Sequence, residues 1–142
     1  MKLLILGGTR FLGHHIAEQA LARGDEVSLL HRGRSAPGLL PQAEHLIADR
    51  DGDLQVLRGR RWDAAIDTSA YVPRQVRSVS DLLSRQVERY LLVSSISVYV
   101  DLANAGTREA APTPQLADPH SEIVDGAGES RRRGKRAGGA VA

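Results

Sequence analysis

An apolar pentapeptide, Lys2–Leu6 (KLLIL), runs directly into the glycine-rich turn Gly7–Gly13 (GGTRFLG), and the amphipathic segment behind it is stopped by Gly24. No other feature narrows the possible folds of this chain as much. Leu12, Ile16, Ala20 and Leu21 fall near one face of a helix over Leu12–Arg23, and Gly24 suits the left-handed position that ends a helix. A strand, a tight turn and a helix at the head of the chain begin an alternating α/β layer, not a bundle or a sandwich.

The alternation continues. Glu26–Leu30 (EVSLL) predicts a second strand, His45–Ala48 a short third, Asp63–Asp67 (DAAID) a fourth and Tyr90–Ser94 (YLLVS) a fifth. Pro73 is placed to start a helix through Arg85, with Val76, Val79, Leu82 and Leu83 at helical spacing. Strands that are apolar throughout, separated by amphipathic helices, imply a parallel sheet covered on both faces. The expected fold is α/β, a doubly wound parallel sheet. Trp62, behind Arg60 and Arg61, reads as a packing anchor, and Asp53 as the cap of a short helix from Leu54.

Beyond Tyr99 the character changes. All five aromatic residues lie at or before Tyr99, and the rest is rich in Ala, Gly, Pro, Asp and Glu with no sustained period. Residues 1–100 carry 13 basic and 11 acidic side chains; residues 101–130 carry one basic and six acidic; Arg131–Arg136 (RRRGKR) then supplies five positive charges. Such a composition cannot bury enough surface to offset chain entropy. The expected organisation is a sheet-forming part over residues 1–100 and a low-complexity, largely disordered tail over residues 101–142. The basic cluster has no aromatic neighbours on which bases could stack, so it reads as a solvated charge run and nucleic acid is not the expected partner.

With 142 residues, the chain has room for one domain with a sizeable core. It has no cysteine, which excludes disulfides and thiolate metal sites. No apolar run approaches the roughly 18 residues of a membrane span. The opening MKLLILGG is too short for a signal peptide, so a cytoplasmic location is expected. No metal site is expected either, because the adjacent His14 and His15 point to different sides of a helix and read as solvent-facing.

The chemistry in the sequence sits in the turns that follow the strands. Main-chain N–H groups at a helix start, behind a glycine turn, bind phosphate oxygens, and the helix dipole adds to the attraction. Gly7 suits the tight turn and Gly13 allows the helix to approach the first strand closely, with Thr9, Arg10, Phe11 and Leu12 lining the turn between them. This placement after a strand and before a helix favours a dinucleotide over a purely structural turn. An NAD site commonly places an acid after the second strand, for the ribose hydroxyls. This chain has His31-Arg32-Gly33-Arg34 there and no acid before Glu44. Arg32 and Arg34, with Arg10 from the glycine turn, suit the 2′-phosphate of NADP, which is preferred over NAD; the alternative is that they are solvated loop charges. Asp49 is placed to meet the adenine amino group, although Asp51 and Asp53 are close by. Asp67-Thr68-Ser69-Ala70-Tyr71 (DTSAY) brings the small residues Ser69 and Ala70 to where a backbone would pass near the cofactor, Asp67 itself being structural.

With GGTRFLG, HRG, DTSAY and YLLVSSISVY in this order, the chain resembles the extended short-chain dehydrogenase/reductases, and more narrowly the NAD-dependent epimerase/dehydratase family. The arginine in the glycine turn is similar to a branch that contains reductase-like proteins and chloroplast stem-loop RNA-binding proteins. The resemblance spans residues 1 to about 100 and implies a Rossmann-like fold, incomplete here, with sugar-nucleotide or small carbonyl or alcohol substrates. It also implies that Ser95 of SSISVY hydrogen-bonds the substrate oxygen, beside a tyrosine acid/base and a lysine four residues later. Those partners are absent: Ala103 stands four residues after Tyr99, and the only lysines are Lys2 and Lys135. Translation of a GC-rich gene in a shifted frame would produce such a tail; a divergent native tail is the alternative. The function expected is that of an NAD(P)-binding N-terminal fragment of an epimerase/dehydratase- or reductase-like oxidoreductase, inactive alone, the alternative being a non-catalytic RNA-binding or regulatory module.

Overall fold

The alternation read from the sequence is realised in a computed structural model of the chain, which describes residues 1–34, 38–99 and 106–113. The elements run β1 (Lys2–Leu6), α1 (Phe11–Ala22), β2 (Glu26–His31), β3 (Glu44–Ile47), a 3-10 turn (Gln55–Leu57), β4 (Trp62–Asp67), α2 (Pro73–Leu83), β5 (Val87–Leu92) and a second 3-10 turn (Ile96–Val98). The chain divides into two units, Met1–Ala70 with Gln75–Val93, and Tyr71–Arg74 with Ser94–Ala142.

The first unit holds the sheet. Its strand order is β3-β2-β1-β4-β5 with every pairing parallel, so β1 is central and the order reverses around it. Leu3, Leu4, Ile5 and Leu6 of β1 are all buried, because neighbours lie on both edges and both faces of that strand. Alternate residues feed two cores. Leu3 and Ile5 pack with Ala17 and Ala20 of α1 and with Val27 and Leu29 of β2. Leu4 and Leu6 pack with Leu30, Leu46, Leu57 and Trp62, and with Val79 and Leu83 of α2. Each leucine buried in this way contributes about 1.5–3 kcal/mol.

Gly24 ends α1 as the sequence suggested, at φ 86°, with its N–H donating to the Leu21 carbonyl at 2.9 Å. The first 3-10 turn starts one residue later than expected, so its N-cap is Leu54, which makes no capping bond, and not Asp53; Asp53, one residue earlier, accepts the Gln55 N–H at 2.8 Å. Trp62 is buried, and its indole N–H donates to Ser28 Oγ at 3.1 Å. Trp62→Phe is expected to cost about 1–2 kcal/mol, read as a lower urea midpoint, because the ring loses volume and a hydrogen bond. The cost stays modest because Ser28 keeps its bond to Glu44 at 2.9 Å.

Two expectations need correcting. The fifth strand starts at Val87, three residues before the predicted Tyr90, because its register runs from Trp62↔Val87 to Asp67↔Leu92. It is not apolar throughout: Glu88, Arg89, Leu91 and Leu92 are exposed, as fits a strand at the sheet's edge. His14 is half-buried, not solvent-facing, with Nε2 at 3.2 Å from the Glu18 carboxylate one turn on.

In the second unit, the turn Ile96–Val98 is closed by the Val98 N–H to the Ser95 carbonyl at 3.1 Å and the Tyr99 N–H to the Ile96 carbonyl at 3.2 Å. Of the tail, residues 106–113 are described, with Ala111 N–H on the Arg108 carbonyl at 2.9 Å. The expectation of disorder and the cluster Arg131–Arg136 lie otherwise outside the described residues. Among the described residues, no helix is long and apolar enough to cross a membrane.

Candidate functional site

Parallel register carries the predicted site residues of the first unit to one end of the sheet. Leu6 of β1 is level with Leu30 of β2 and Asp67 of β4, and His31 is level with Ile47 of β3. The turns that follow these strands contain Gly7–Gly13, Arg32 and Arg34, Asp49, and Ser69 with Ala70. They meet at the carboxyl edge, around the point where strand order reverses, which is where open α/β sheets bind ligands.

The glycine turn is built by close approach. Gly7 has φ 89°, and a Cβ there would lie 2.8 Å from Ser69 Cβ and 2.8 Å from Thr68 Oγ1. A Cβ on Gly13 would lie 2.6 Å from the Gly7 carbonyl oxygen, so the start of α1 sits directly on the turn. Thr68 fixes the base of this contact by donating its hydroxyl to the Leu6 carbonyl at 2.9 Å. The arginine among the glycines is tolerated because Arg10 has φ −142° and ψ 145°, extended backbone open to any residue. The left-handed position falls instead on Phe11, at φ 39°, whose side chain is 86% exposed. Leu12 is exposed as well, and Thr9 is half-buried.

No side chain caps α1: Arg10 occupies the N-cap position, makes no capping hydrogen bond, and no acid follows in the first turn. The N–H groups of that turn, which a helix cannot satisfy internally, are therefore left to an external acceptor. Arg10, Arg32 and Arg34 are exposed and form no ion pair among the described residues. An anion suits this end of the molecule. Asp49 is exposed, and one of its carboxylate oxygens accepts the Asp51 N–H at 3.1 Å.

A second constellation, invisible to the sequence reading, lies beneath Ser69. Arg50 reaches from the end of β3 to Asp67 in a bidentate pair, Nη1 to Oδ1 at 2.8 Å and Nη2 to Oδ2 at 2.7 Å. Nη1 also donates to Ser69 Oγ at 2.9 Å and Nη2 to the Gln75 carbonyl at 3.2 Å. Tyr90 donates its hydroxyl to Asp67 at 2.7 Å, and the Ser69 N–H donates to the same carboxylate at 3.0 Å. Asp67 is 0% exposed. Burial opposes its charge, yet the bonds from Arg50, Tyr90 and Ser69 outweigh it and hold the carboxyl below the usual range. For Tyr90 the same cluster acts in reverse: burial first, then the Asp67 carboxylate, push its phenol well above the usual value. A tyrosine that transfers protons near neutrality needs the opposite shift.

Ser95 lies in the second unit, exposed, at the start of the turn that its own carbonyl closes. Among the described residues, no group of three His, Asp or Glu side chains is placed to hold a metal ion.

No family model matches the chain. It is 28% identical, over an alignment of 115 residues covering 70% of this chain and 30% of the relative, to the chloroplast stem-loop binding protein of 41 kDa b of Arabidopsis thaliana. Among solved structures, the UDP-Glc/GlcNAc 4-epimerase of Campylobacter jejuni superposes with a TM-score of 0.70 at 15% identity, covering 96% of this chain and 47% of that one. The dTDP-glucose 4,6-dehydratase of Bacillus anthracis, in complex with NAD, gives 0.66 at 16% identity, covering 96% and 49%. The chain thus spans about half the length of these enzymes and 30% of the plant protein. The fold is the Rossmann-like half of such enzymes, and the resemblance carried by GGTRFLG, HRG, DTSAY and YLLVSSISVY is met on both sides: the chain's structural neighbours are NAD-dependent epimerase/dehydratase enzymes, and its curated relative is a chloroplast stem-loop binding protein.

Proposed function

We propose that this chain binds a dinucleotide at the carboxyl edge of its sheet, NADP in preference to NAD, as the nucleotide-binding half of an epimerase/dehydratase- or reductase-like oxidoreductase. The observation that carries the reading is the uncapped, acid-free start of α1 on the Gly7–Gly13 turn, at the point where strand order reverses. The first-turn N–H groups and the helix dipole take the pyrophosphate; Arg32 and Arg34, with Arg10, take the 2′-phosphate; Asp49 faces the adenine; Ser69 and Ala70 let the dinucleotide pass close to the backbone. A bound dinucleotide supplies hydride transfer, and this chain's residues bind and orient it. The C. jejuni and B. anthracis enzymes support a sugar-nucleotide substrate for the whole assembly. The chain alone is proposed not to turn one over, because its sequence has no tyrosine followed four residues later by a lysine, and Tyr90 is committed to Asp67. The proposed location is the cytoplasm.

Calorimetric titration of NADPH and NADH into the 142-residue chain tests the cofactor assignment. NADPH is expected to bind more tightly. The double variant Arg32→Ala/Arg34→Ala is expected to lose at least about 100-fold in NADPH affinity with little change for NADH, since each hydrogen bond to a charged group contributes about 1.5–3 kcal/mol. Tighter binding of NADH by the native chain, or an unaltered NADPH affinity in the variant, sinks the assignment.

One observation favours a second reading, a non-catalytic RNA-binding module: the plant relative is named for binding a stem-loop. It requires RNA affinity that falls steeply with salt and depends on Arg131–Arg136.

A further inference from the structure

Two histidines 14 residues apart in sequence join into a hydrogen-bonded relay at the end of β2. His31 Nε2 lies 2.8 Å from His45 Nδ1, with the rings edge to face at 89°. Beyond them, the Gly33 N–H lies 3.1 Å from His31 Nδ1, and His45 Nε2 lies 3.2 Å from the Leu40 carbonyl oxygen. Both rings are half-buried.

The two backbone groups fix every proton in the relay. A carbonyl only accepts, so His45 carries its proton on Nε2 and Nδ1 is left as an acceptor. His31 therefore donates from Nε2, and its Nδ1 accepts from Gly33. An added proton must go to one of the two acceptor nitrogens, and either choice breaks a bond: to Gly33, or between the rings. The neutral pair is the one that closes. Burial, then the neighbouring His45, lowers the His31 pKa in the same sense. Among the described residues, neither ring forms an ion pair with a carboxylate. Glu44 of β3 is held by Arg60 and Ser28. Arg32 and Arg34 on the adjoining turn are positive and disfavour a further cation.

Gly33 lies between Arg32 and Arg34, and it takes φ 70° with a Cβ position 3.3 Å from Ile47 Cγ2. The relay pins that glycine to β3. We infer that His31 and His45 are positioning residues for nucleotide selection: the neutral pair holds the Arg32–Arg34 turn where it grips a 2′-phosphate, and protonation of the pair releases it. The inference rests on the NADP reading above.

The test measures NADPH and NADH affinity of the full chain from pH 5 to 8 in the native protein, His45→Phe and His45→Gln, with Arg32→Ala/Arg34→Ala as the reference. His45→Phe is expected to lower the NADPH/NADH affinity ratio about fivefold at pH 8. His45→Gln, whose amide both donates and accepts, is expected to restore most of it. The 2′-phosphate itself takes up a proton near pH 6, which weakens binding in every variant. The relay's share is the additional loss below pH 6.5 in the native chain that His45→Gln lacks. Protection of the Gly33 amide from hydrogen exchange should be lost over the same interval. If the arginine variant loses NADPH affinity while both His45 variants keep the native ratio and pH profile, the inference is overturned and the cofactor reading stands. If the arginine variant matches the native chain, or NADPH does not bind, the cofactor reading fails and the selective role fails with it.

Discussion

Asp67→Ala is expected to lower the stability of the chain by about 3–5 kcal/mol, the range found when one partner of a buried ion pair is removed. The loss comes from what remains, not from the pair's own attraction. Arg50 is left charged with a side chain only 10% exposed, and the Tyr90 hydroxyl and Ser69 N–H lose their acceptor. Natural domains hold about 0.05–0.15 kcal/mol per residue, so such a loss removes much of what a sheet of this size possesses. Removing the whole network should be far milder. Arg50→Met, Asp67→Leu and Tyr90→Phe together leave no stranded charge, and are expected to stay within about 2 kcal/mol of the native chain. Urea unfolding followed by circular dichroism distinguishes the two; a cost below about 1 kcal/mol for Asp67→Ala would refute the role assigned to the cluster. The acid limb of stability follows from the same residue. Its folded pKa lies below the ordinary value of about 3.9, so the unfolded chain takes up the proton first. The stabilisation is complete above that ordinary value and is lost as pH falls through the lower, folded one; Asp67→Asn should flatten this limb.

Gly13→Ala is the substitution with the largest expected effect on ligand binding. In an unconstrained helix the change gains about 1 kcal/mol from propensity. Here the new methyl group would lie 2.6 Å from the Gly7 carbonyl oxygen and 2.9 Å from Thr68 Oγ1, which is itself bonded to Leu6. Overpacking against backbone costs about 1–3 kcal/mol and outweighs the gain. The strain is relieved only by moving α1 off the turn, which also moves the N–H groups proposed to meet the pyrophosphate. Dinucleotide affinity is expected to fall at least about tenfold while the far-ultraviolet spectrum is unchanged. Unaltered affinity in a folded Gly13→Ala chain would detach the ligand from this turn.

The parts of the molecule that the sequence made legible are those in which local pattern and burial agree. KLLIL, the glycine turn and the stop at Gly24 announced β1 and α1 because a central strand is buried on both faces and therefore reads as an unbroken apolar run. The start of β5 was not legible, since Val87, Glu88 and Arg89 sit at the open edge of the sheet and take their strand conformation from the pairing of Trp62 with Val87. At the site, Gly7 and Gly13 could be read because their requirement is steric and local. The partnership of Arg50 with Asp67 and that of His31 with His45 could not. They join residues 17 and 14 positions apart through the register of parallel strands, and no spacing rule within one strand or helix encodes such a meeting. Attention to acids after the third strand also favoured Asp49, when the neighbouring arginine proved to be the residue tied into the interior.

The placement of β1 at the centre of the sheet has a consequence for how the chain leaves the ribosome. β1 is flanked by β2, which is complete at His31, and by β4, which is complete only at Asp67. Until β4 emerges, this apolar strand has one partner and an open edge, and the pairing that closes it must span some sixty residues of nascent chain. Closure of the sheet around β1 is therefore a late event, set by the arrival of Trp62–Asp67, and Leu3–Leu6 stays open to holdase chaperones until then.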